Sequence, residues 1–192
     1  FEPVVVDDLV AVRADFHEPI KGIRHEIVIT PKMSFGTGHH ATTWLMMAAM
    51  EHLDFANKEV IDFGTGTGVL AILAEKLGAK NVIGIDNDPW CIENASENLE
   101  VNGVKHCSLL LENNLSGQKN TDILLANINR HIILDNMGAM KAVLNPEGIW
   151  LLSGLLQDDE AIIRQKANEF GMIWRETNKK SGWISLVFIS TA

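Results

Sequence analysis

Apolar and polar positions along this chain fall into blocks whose period alternates between that of a strand and that of a helix. Val60 to Phe63 is a short apolar run ending in glycines, residues 68 to 77 repeat apolar positions at helical spacing, and Asn81 to Ile85 is apolar again. A helix near 89 to 100 and a strand near 107 to 111 follow, then a strand at 121 to 127 (TDILLAN) and a helix at 131 to 144 (HIILDNMGAMKAVL). GIWLLSG (148 to 154) reads as a further strand after the turn Asn145-Pro146-Glu147-Gly148. Strands alternating with helices predict an α/β fold, doubly wound, with a mostly parallel sheet covered on both faces. After a helix near 157 to 169 the pattern changes. MIWRETNKKSGWISLVFIS holds two apolar runs separated by Asn178, Lys179, Lys180, Ser181 and Gly182, which predicts an antiparallel C-terminal hairpin on a five-residue loop. Upstream, residues 9 to 14 and 25 to 30 (LVAVRA and HEIVIT) read as a small hairpin turning near Pro19 and Gly22. A helical run from about His40 contributes Trp44, Leu45, Met47, Ala48 and Leu53 to the core.

The glycine turn between the first long strand and its helix carries the chemistry. Gly64, Gly66 and Gly68 allow a tight turn and leave bare backbone against which a ligand can lie. Asp86, 22 residues after Gly64, sits at the tip of the next strand, where a carboxylate accepts the two hydroxyls of a ribose. The expected ligand is therefore a nucleoside. The dinucleotide fingerprint G-x-G-x-x-G is not met, because Val69 stands where its third glycine belongs, and Asp62 precedes the turn by two residues. An acid there repels a pyrophosphate and suits a cation. S-adenosylmethionine has an ammonium, a sulfonium and a ribose and no phosphate, so Asp62, Gly64, Gly66, Gly68 and Asp86 are expected to hold that methyl donor in preference to a nicotinamide dinucleotide. The bland alternative, a turn whose glycines serve packing alone, does not account for acids on both sides of it.

Composition narrows the rest. With 192 residues, 46% of them apolar, the chain suffices for one main domain: residues 1–34 are expected to be an N-terminal extension leading into a lid loop, and 35–192 the catalytic domain. Neither a membrane-spanning run of about 18 apolar residues nor a secretory leader is legible, which predicts a cytoplasmic protein. The formal charge of -9 disfavours a nucleic-acid backbone and favours a basic partner. Cys91 and Cys107 match no metal or C-x-x-C spacing and read as buried, reduced thiols. His39 and His40 are adjacent and diverge on either a helix or a strand, so a shared metal is not expected. Glu112 is placed either to bind an adenine amino group or simply to be solvated, and Thr42 and Thr43 to cap a helix start. Ligands of such sheets gather beyond the carboxyl ends of the strands, where Gly64, Asp86, Glu112 and Asn127 fall; Gly36 to Thr43 is expected to fold over them as a lid.

FGTGHHATT (35 to 43), IDFGTGTG (61 to 68), GIDNDP (84 to 89), LLANI (124 to 128) and LLSGLL (151 to 156) together resemble the methyltransferases of the large-subunit ribosomal protein L11, over nearly the whole chain. The resemblance implies the seven-stranded S-adenosylmethionine-dependent methyltransferase fold, and it implies that Thr43, Gly64, Asp86 and Asn127 contact the donor. It further implies a basic ribosomal protein as acceptor, methylated at amine nitrogens of lysine side chains or an α-amine. Family members have threonine at the position of His39, proline at that of Ala41, and N-I-L where this chain has Asn127-Ile128-Asn129; these departures border the acceptor side. They also carry a recruiting domain ahead of the catalytic one. None precedes residue 9, and the first residue is Phe1, which reads as a trimmed chain.

Methyl transfer asks little of side chains beyond holding nucleophile, methyl and sulfur in line. The amine must be uncharged; a lysine has an ordinary pKa of about 10.4, which burial lowers. Asn127 is expected to accept a hydrogen bond from the amine through its side-chain oxygen, and His40 to be a hydrogen-bonded loop histidine. A methyltransferase acting on nucleic acid or a small molecule, a nicotinamide-dependent oxidoreductase, and a donor-binding module without activity are the alternatives.

Overall fold

A computed structural model describes residues 2–32 and 39–191, with His39 described in its backbone only. The chain begins with β1 (Val4–Val6), β2 (Val10–Ala14) and β3 (His25–Ile29), which form a small sheet of that order. The expected hairpin between 9–14 and 25–30 is corrected here. β2 and β3 pair parallel, Val10 opposite His25 and Ala14 opposite Ile29, and the antiparallel partner of β2 is β1, a strand too short to stand out in the sequence. The ten residues 15–24 are a crossover and not a hairpin turn, because a parallel pair needs its connection to travel back along the strand.

The main sheet uses β4 (Glu59–Phe63), β5 (Asn81–Asp86), β6 (Cys107–Leu111), β7 (Thr121–Asn127), β8 (Leu144–Leu156), β9 (Met172–Lys180) and β10 (Trp183–Ser190) in the order β6-β5-β4-β7-β8-β10-β9. Pairing is parallel from β6 to β8, and β10 is antiparallel to both β8 and β9. The expected α/β architecture with an antiparallel C-terminal hairpin is what the chain adopts.

Residues alternate between the two faces of the sheet as the pleat requires. Ile123 and Leu125 of β7 join one core with Met46 and Met50 of α1 (His39–Met50) and Ala71 and Ile72 of α2 (Val69–Lys76), and the same core takes in Val12 and Ile27 of the small sheet. Leu124 and Ala126 face the other core, with Met137 and Met140 of α4 (Arg130–Ala142) and Ile163 and Ala167 of α5 (Glu160–Glu169). α3 (Pro89–Val101) lies over β6 and β5 and reaches β3.

Two local expectations are revised. The C-terminal hairpin turns on two residues, Ser181 and Gly182, because Trp183 already pairs with Lys180; both turn residues have positive φ, 52° and 82°, the twist that a two-residue hairpin needs. Asn145 to Gly148 do not precede the strand but bulge within β8, since Leu144 pairs with Thr121 and Ile149 with Ile123.

Candidate active site

The strand order reverses between β4 and β7, and a cleft of about 360 Å³ opens there. Its wall takes Gly64 and Gly66 from the turn after β4, Asp86 from the tip of β5 and Asn87 just beyond it, Glu112 and Asn113 from the loop after β6, and Asn127 from the end of β7 with Ile128 and Asn129 after it. Phe63, Ile85, Cys91 and Ile132 supply apolar surface. That volume is within the range of small-molecule sites.

The glycine turn is built by its backbone. Gly64 and Thr65 both donate to Ile85 O, at 2.8 and 2.9 Å, which ties the turn to β5; Gly68 donates to Thr65 O at 2.9 Å and starts α2. Gly64, Gly66 and Gly68 have φ of 80°, 55° and 85°. At Gly64 a Cβ would collide with Cγ2 of Ile128, and at Gly68 it would press on Ala95 of α3 at 3.3 Å. Gly64 therefore clears the floor of the cleft, and Gly68 lets α3 close on the turn.

Asp86 is held before any ligand arrives. Its Oδ2 accepts from Gly66 N at 2.9 Å and its Oδ1 from Asp88 N at 3.0 Å. Asp88 in turn caps α3 by accepting from Trp90 N at 2.9 Å, with Pro89 at the first helical position. Each oxygen of Asp86 keeps a second lone pair for a donor in the cleft. Cys91, one turn into α3, has its thiol pushed up to about 11, first by burial and then by Asp86 and Asp88. Cys107 is pushed up as well, chiefly by burial, and its Sγ lies 3.5 Å from Ala71 O. Both thiols are free and half-buried, less enclosed than expected.

Asp62 is not in the cleft wall. It lies behind the turn, 1% exposed, with Oδ2 accepting from Thr65 Oγ1 at 2.8 Å. Burial raises its pKa to about 7, the Thr65 hydroxyl opposes the rise, and the charge of Asp86 adds to it. A folded-state pKa above the ordinary 3.8 means that the native protein holds this proton the more tightly. This group's stability is thus intact below about pH 4, falls as pH rises, and is fully lost above about pH 7. Asp62→Asn keeps an oxygen for Thr65 and carries no charge. Between pH 5 and pH 8 the variant is expected to gain on the wild type by on the order of 2 kcal/mol in urea unfolding, and a constant difference across that range would refute the assignment.

Asn127 closes the site on the other side. Its Nδ2 donates to Thr42 Oγ1 at 3.2 Å, which orients the side chain and leaves Oδ1 as an acceptor with no donor among the described residues. Helix α1 starts at His39, so Thr42 and Thr43 lie inside it and do not cap it. Thr42 and Thr43 are both buried, and Thr43 is outside the cleft wall. The segment expected to act as a lid is in part outside the described residues, and from His39 onward it is helix. His40 is likewise on the helix and not on a loop, with Nε2 3.2 Å from Pro3 O.

Gly64, Gly66, Asp86 and Asn127 thus meet in one cleft as expected, whereas Thr43, Asp62 and Gly68 are not among the residues that line it. The sequence reading missed Thr42 as the partner of Asn127, Asp88 as the second support of the Asp86 loop, and Ile128. The i, i+2 spacing of Asp86 and Asp88 before Pro89 was a usable sign of the loop; nothing local pointed to Ile128. Among the described residues, no group of three or more His, Cys, Asp or Glu is arranged to hold a metal, and no helix is long and apolar enough to cross a membrane.

A seven-stranded Rossmann-like sheet with a reversed hairpin, a glycine turn after its central strand and an acid at the tip of the next is the fold of the S-adenosylmethionine-dependent methyltransferases, whose methyl donor these cleft residues suit. The family model described as Ribosomal protein L11 methyltransferase (PrmA) matches residues 1–191, and the chain belongs to that family. It is 41% identical over 190 residues to the ribosomal protein L11 methyltransferase of Porphyromonas gingivalis and 37% identical over 191 residues to that of Phocaeicola vulgatus. The alignments cover 98% of this chain and 66% and 68% of those proteins, so the chain spans about two thirds of their length. The crystal structure of a ribosomal protein L11 methylase from Lactobacillus delbrueckii superposes with a TM-score of 0.91 at 27% identity, covering 100% of this chain and 99% of that one. A methyltransferase from Pyrococcus furiosus, 19% identical, shares the fold with a TM-score of 0.67 over 74% of this chain and 80% of its own.

Proposed function

We propose that this chain transfers methyl groups from S-adenosylmethionine to amine nitrogens of a basic ribosomal protein, on lysine side chains or an α-amine. The observation that carries the reading is the Asp86 carboxylate, held by two backbone amides at the mouth of a cleft that also contains Asn127. When bound, the donor supplies a methyl already activated on a sulfonium, which an uncharged amine takes in line as the carbon–sulfur bond breaks. Asp86 receives the ribose hydroxyls, and the bare backbone at Gly64 and Gly66 lies against the donor. Asp62, Gly68 and Thr43 support it from around the cleft, with the buried Asp62 carboxyl behind the turn giving up its proton more readily when a cationic ligand is bound. Asn127 Oδ1 accepts an N–H of the acceptor amine and so aims its lone pair, and the apolar wall of Phe63, Ile128 and Ile132 favours the uncharged amine.

Residues 35–192 are the methyltransferase domain, and residues 1–34 an extension sharing its core, acting in the cytoplasm. The -9 charge favours a basic protein acceptor over nucleic acid. The decisive experiment is incubation of the chain with S-adenosylmethionine and purified ribosomal protein L11, followed by mass spectrometry of the acceptor. Methylated L11 is the expected product. Tight binding of S-adenosylhomocysteine with no methylated product from any ribosomal protein would instead mark a non-catalytic module.

Asn127→Ala supplies a finer test. Loss of one aiming hydrogen bond is expected to lower kcat about tenfold, with the affinity for S-adenosylhomocysteine falling no more than about threefold. Full turnover in the variant would remove Asn127 from the reaction.

A further inference from the structure

Among the described residues, no strand pairs with the edge of β3 that faces away from β2. Its backbone groups are met instead by asparagines one turn apart on α3 and at its end. Asn102, the residue that caps α3, accepts from Val28 N at 2.9 Å through Oδ1 and donates to Val28 O at 2.7 Å through Nδ2, as a neighbouring strand would. Asn98 accepts from Thr30 N at 2.9 Å through Oδ1. Lys32 and Glu97 add an ion pair of 3.2 Å beside them.

Asn98 differs from Asn102 in what its other end touches. Its Nδ2 donates to Thr67 O at 2.8 Å, inside the glycine turn, and lies 3.4 Å from Asn94 Oδ1. Asn98 is completely buried and Asn94 is 1% exposed. Ala95, between them, fills the space beside Gly68. One face of α3 therefore grips the far half of the glycine turn, while Asp86 grips the near half through Gly66. The orientation of the Asn98 carboxamide is fixed, because Thr30 N can only donate and Thr67 O can only accept.

We propose that Asn98 is a positioning residue of the donor site, setting the glycine turn at a fixed distance from β3 through one carboxamide that bonds both. The proposal rests on the donor-binding reading above. A carboxamide is the group the place requires: leucine of similar size leaves the buried Thr67 O and the part-buried Thr30 N unpaired, and an ionised aspartate turns an acceptor toward the Thr67 carbonyl. Asn102 reaches β3 but not the turn, so it serves as the structural control.

The test is calorimetric titration of S-adenosylhomocysteine into wild type, Asn98→Leu, Asn98→Asp and Asn102→Leu, with thermal unfolding of each. Asn98→Leu is expected to weaken binding at least tenfold, and Asn102→Leu to lower the unfolding temperature comparably while binding within twofold of wild type. Asn98→Asp carries the test if the leucine variant does not fold. Burial raises the pKa of such an acid, and its protonated form donates to Thr67 O again, so its affinity relative to wild type is expected to recover as pH falls from 8 to 6. Equal loss of affinity in the Asn98 and Asn102 variants, or wild-type affinity in Asn98→Leu or in Asn98→Asp at pH 8, overturns the proposal and leaves the donor site standing. A wild-type chain that takes up no S-adenosylhomocysteine overturns the donor site itself, and the proposal with it.

Discussion

Asp86→Asn is expected to weaken S-adenosylhomocysteine binding by about 100-fold, although the substitution changes no side-chain volume to speak of. The reason lies in the direction of the hydrogen bonds. Gly66 N and Asp88 N both point donors at this side chain, at 2.9 and 3.0 Å, so both of its terminal atoms must be acceptors. A carboxamide has an NH2 at one of those places whichever way it is turned. One amide of the loop then faces another donor, and the turn or the start of α3 must move. The lost charge adds to this, since hydrogen bonds to a charged group are worth about 1.5–3 kcal/mol each and the proposed ribose bonds go to the same two oxygens. About 2.7 kcal/mol corresponds to the stated 100-fold. Calorimetry on the variant checks it, together with urea unfolding, in which a loss of about 1–2 kcal/mol is expected from the broken loop bond alone. Affinity within fivefold of wild type would sink the assignment of Asp86 as the ribose acceptor.

The parts of the site that were legible in the sequence are those built from neighbours in the chain. The β4 strand, the glycines, α2 and the Asp86 tip form one βαβ unit, in which spacing alone fixes geometry. The C-terminal loop was read too long because Asn178, Lys179 and Lys180 are polar, yet they belong to β9, the edge strand, where polar side chains are normal. The parallel pairing of β2 and β3 left no local mark, since two apolar runs look the same in either direction. What licenses that pairing is remote: the open edge of β3 is satisfied by Asn98 and Asn102, about 70 residues further on. Thr42 rather than Thr43 meets Asn127 because α1 begins at His39 and adjacent helical residues point about 100° apart. Ile128 stayed hidden for the same kind of reason, its role being defined only by two glycines from other strands.

Those two glycines give the other large effect. Gly64→Ala is expected to destabilise the protein by about 2–5 kcal/mol, from about 1–2 kcal/mol for a non-glycine residue at φ 80° and about 1–3 kcal/mol for overpacking. The added methyl falls on Cγ2 of Ile128. The Ile128 backbone cannot retreat toward β8, because the place of a Cβ at Gly154, whose φ is 81°, is already filled by the backbone of Ile128. The isoleucine is thus wedged between the ends of β4 and β8, in the cleft wall and directly after Asn127. Removing the wedge separates the two contributions. In an Ile128→Ala background the methyl has room, so Gly64→Ala should cost only the conformational part, and the double-mutant cycle should show a coupling of about 1–3 kcal/mol. Urea unfolding of the four proteins measures it. An equal cost for Gly64→Ala in both backgrounds would mean that the backbone conformation, and not Ile128, is what demands glycine at the floor of this cleft.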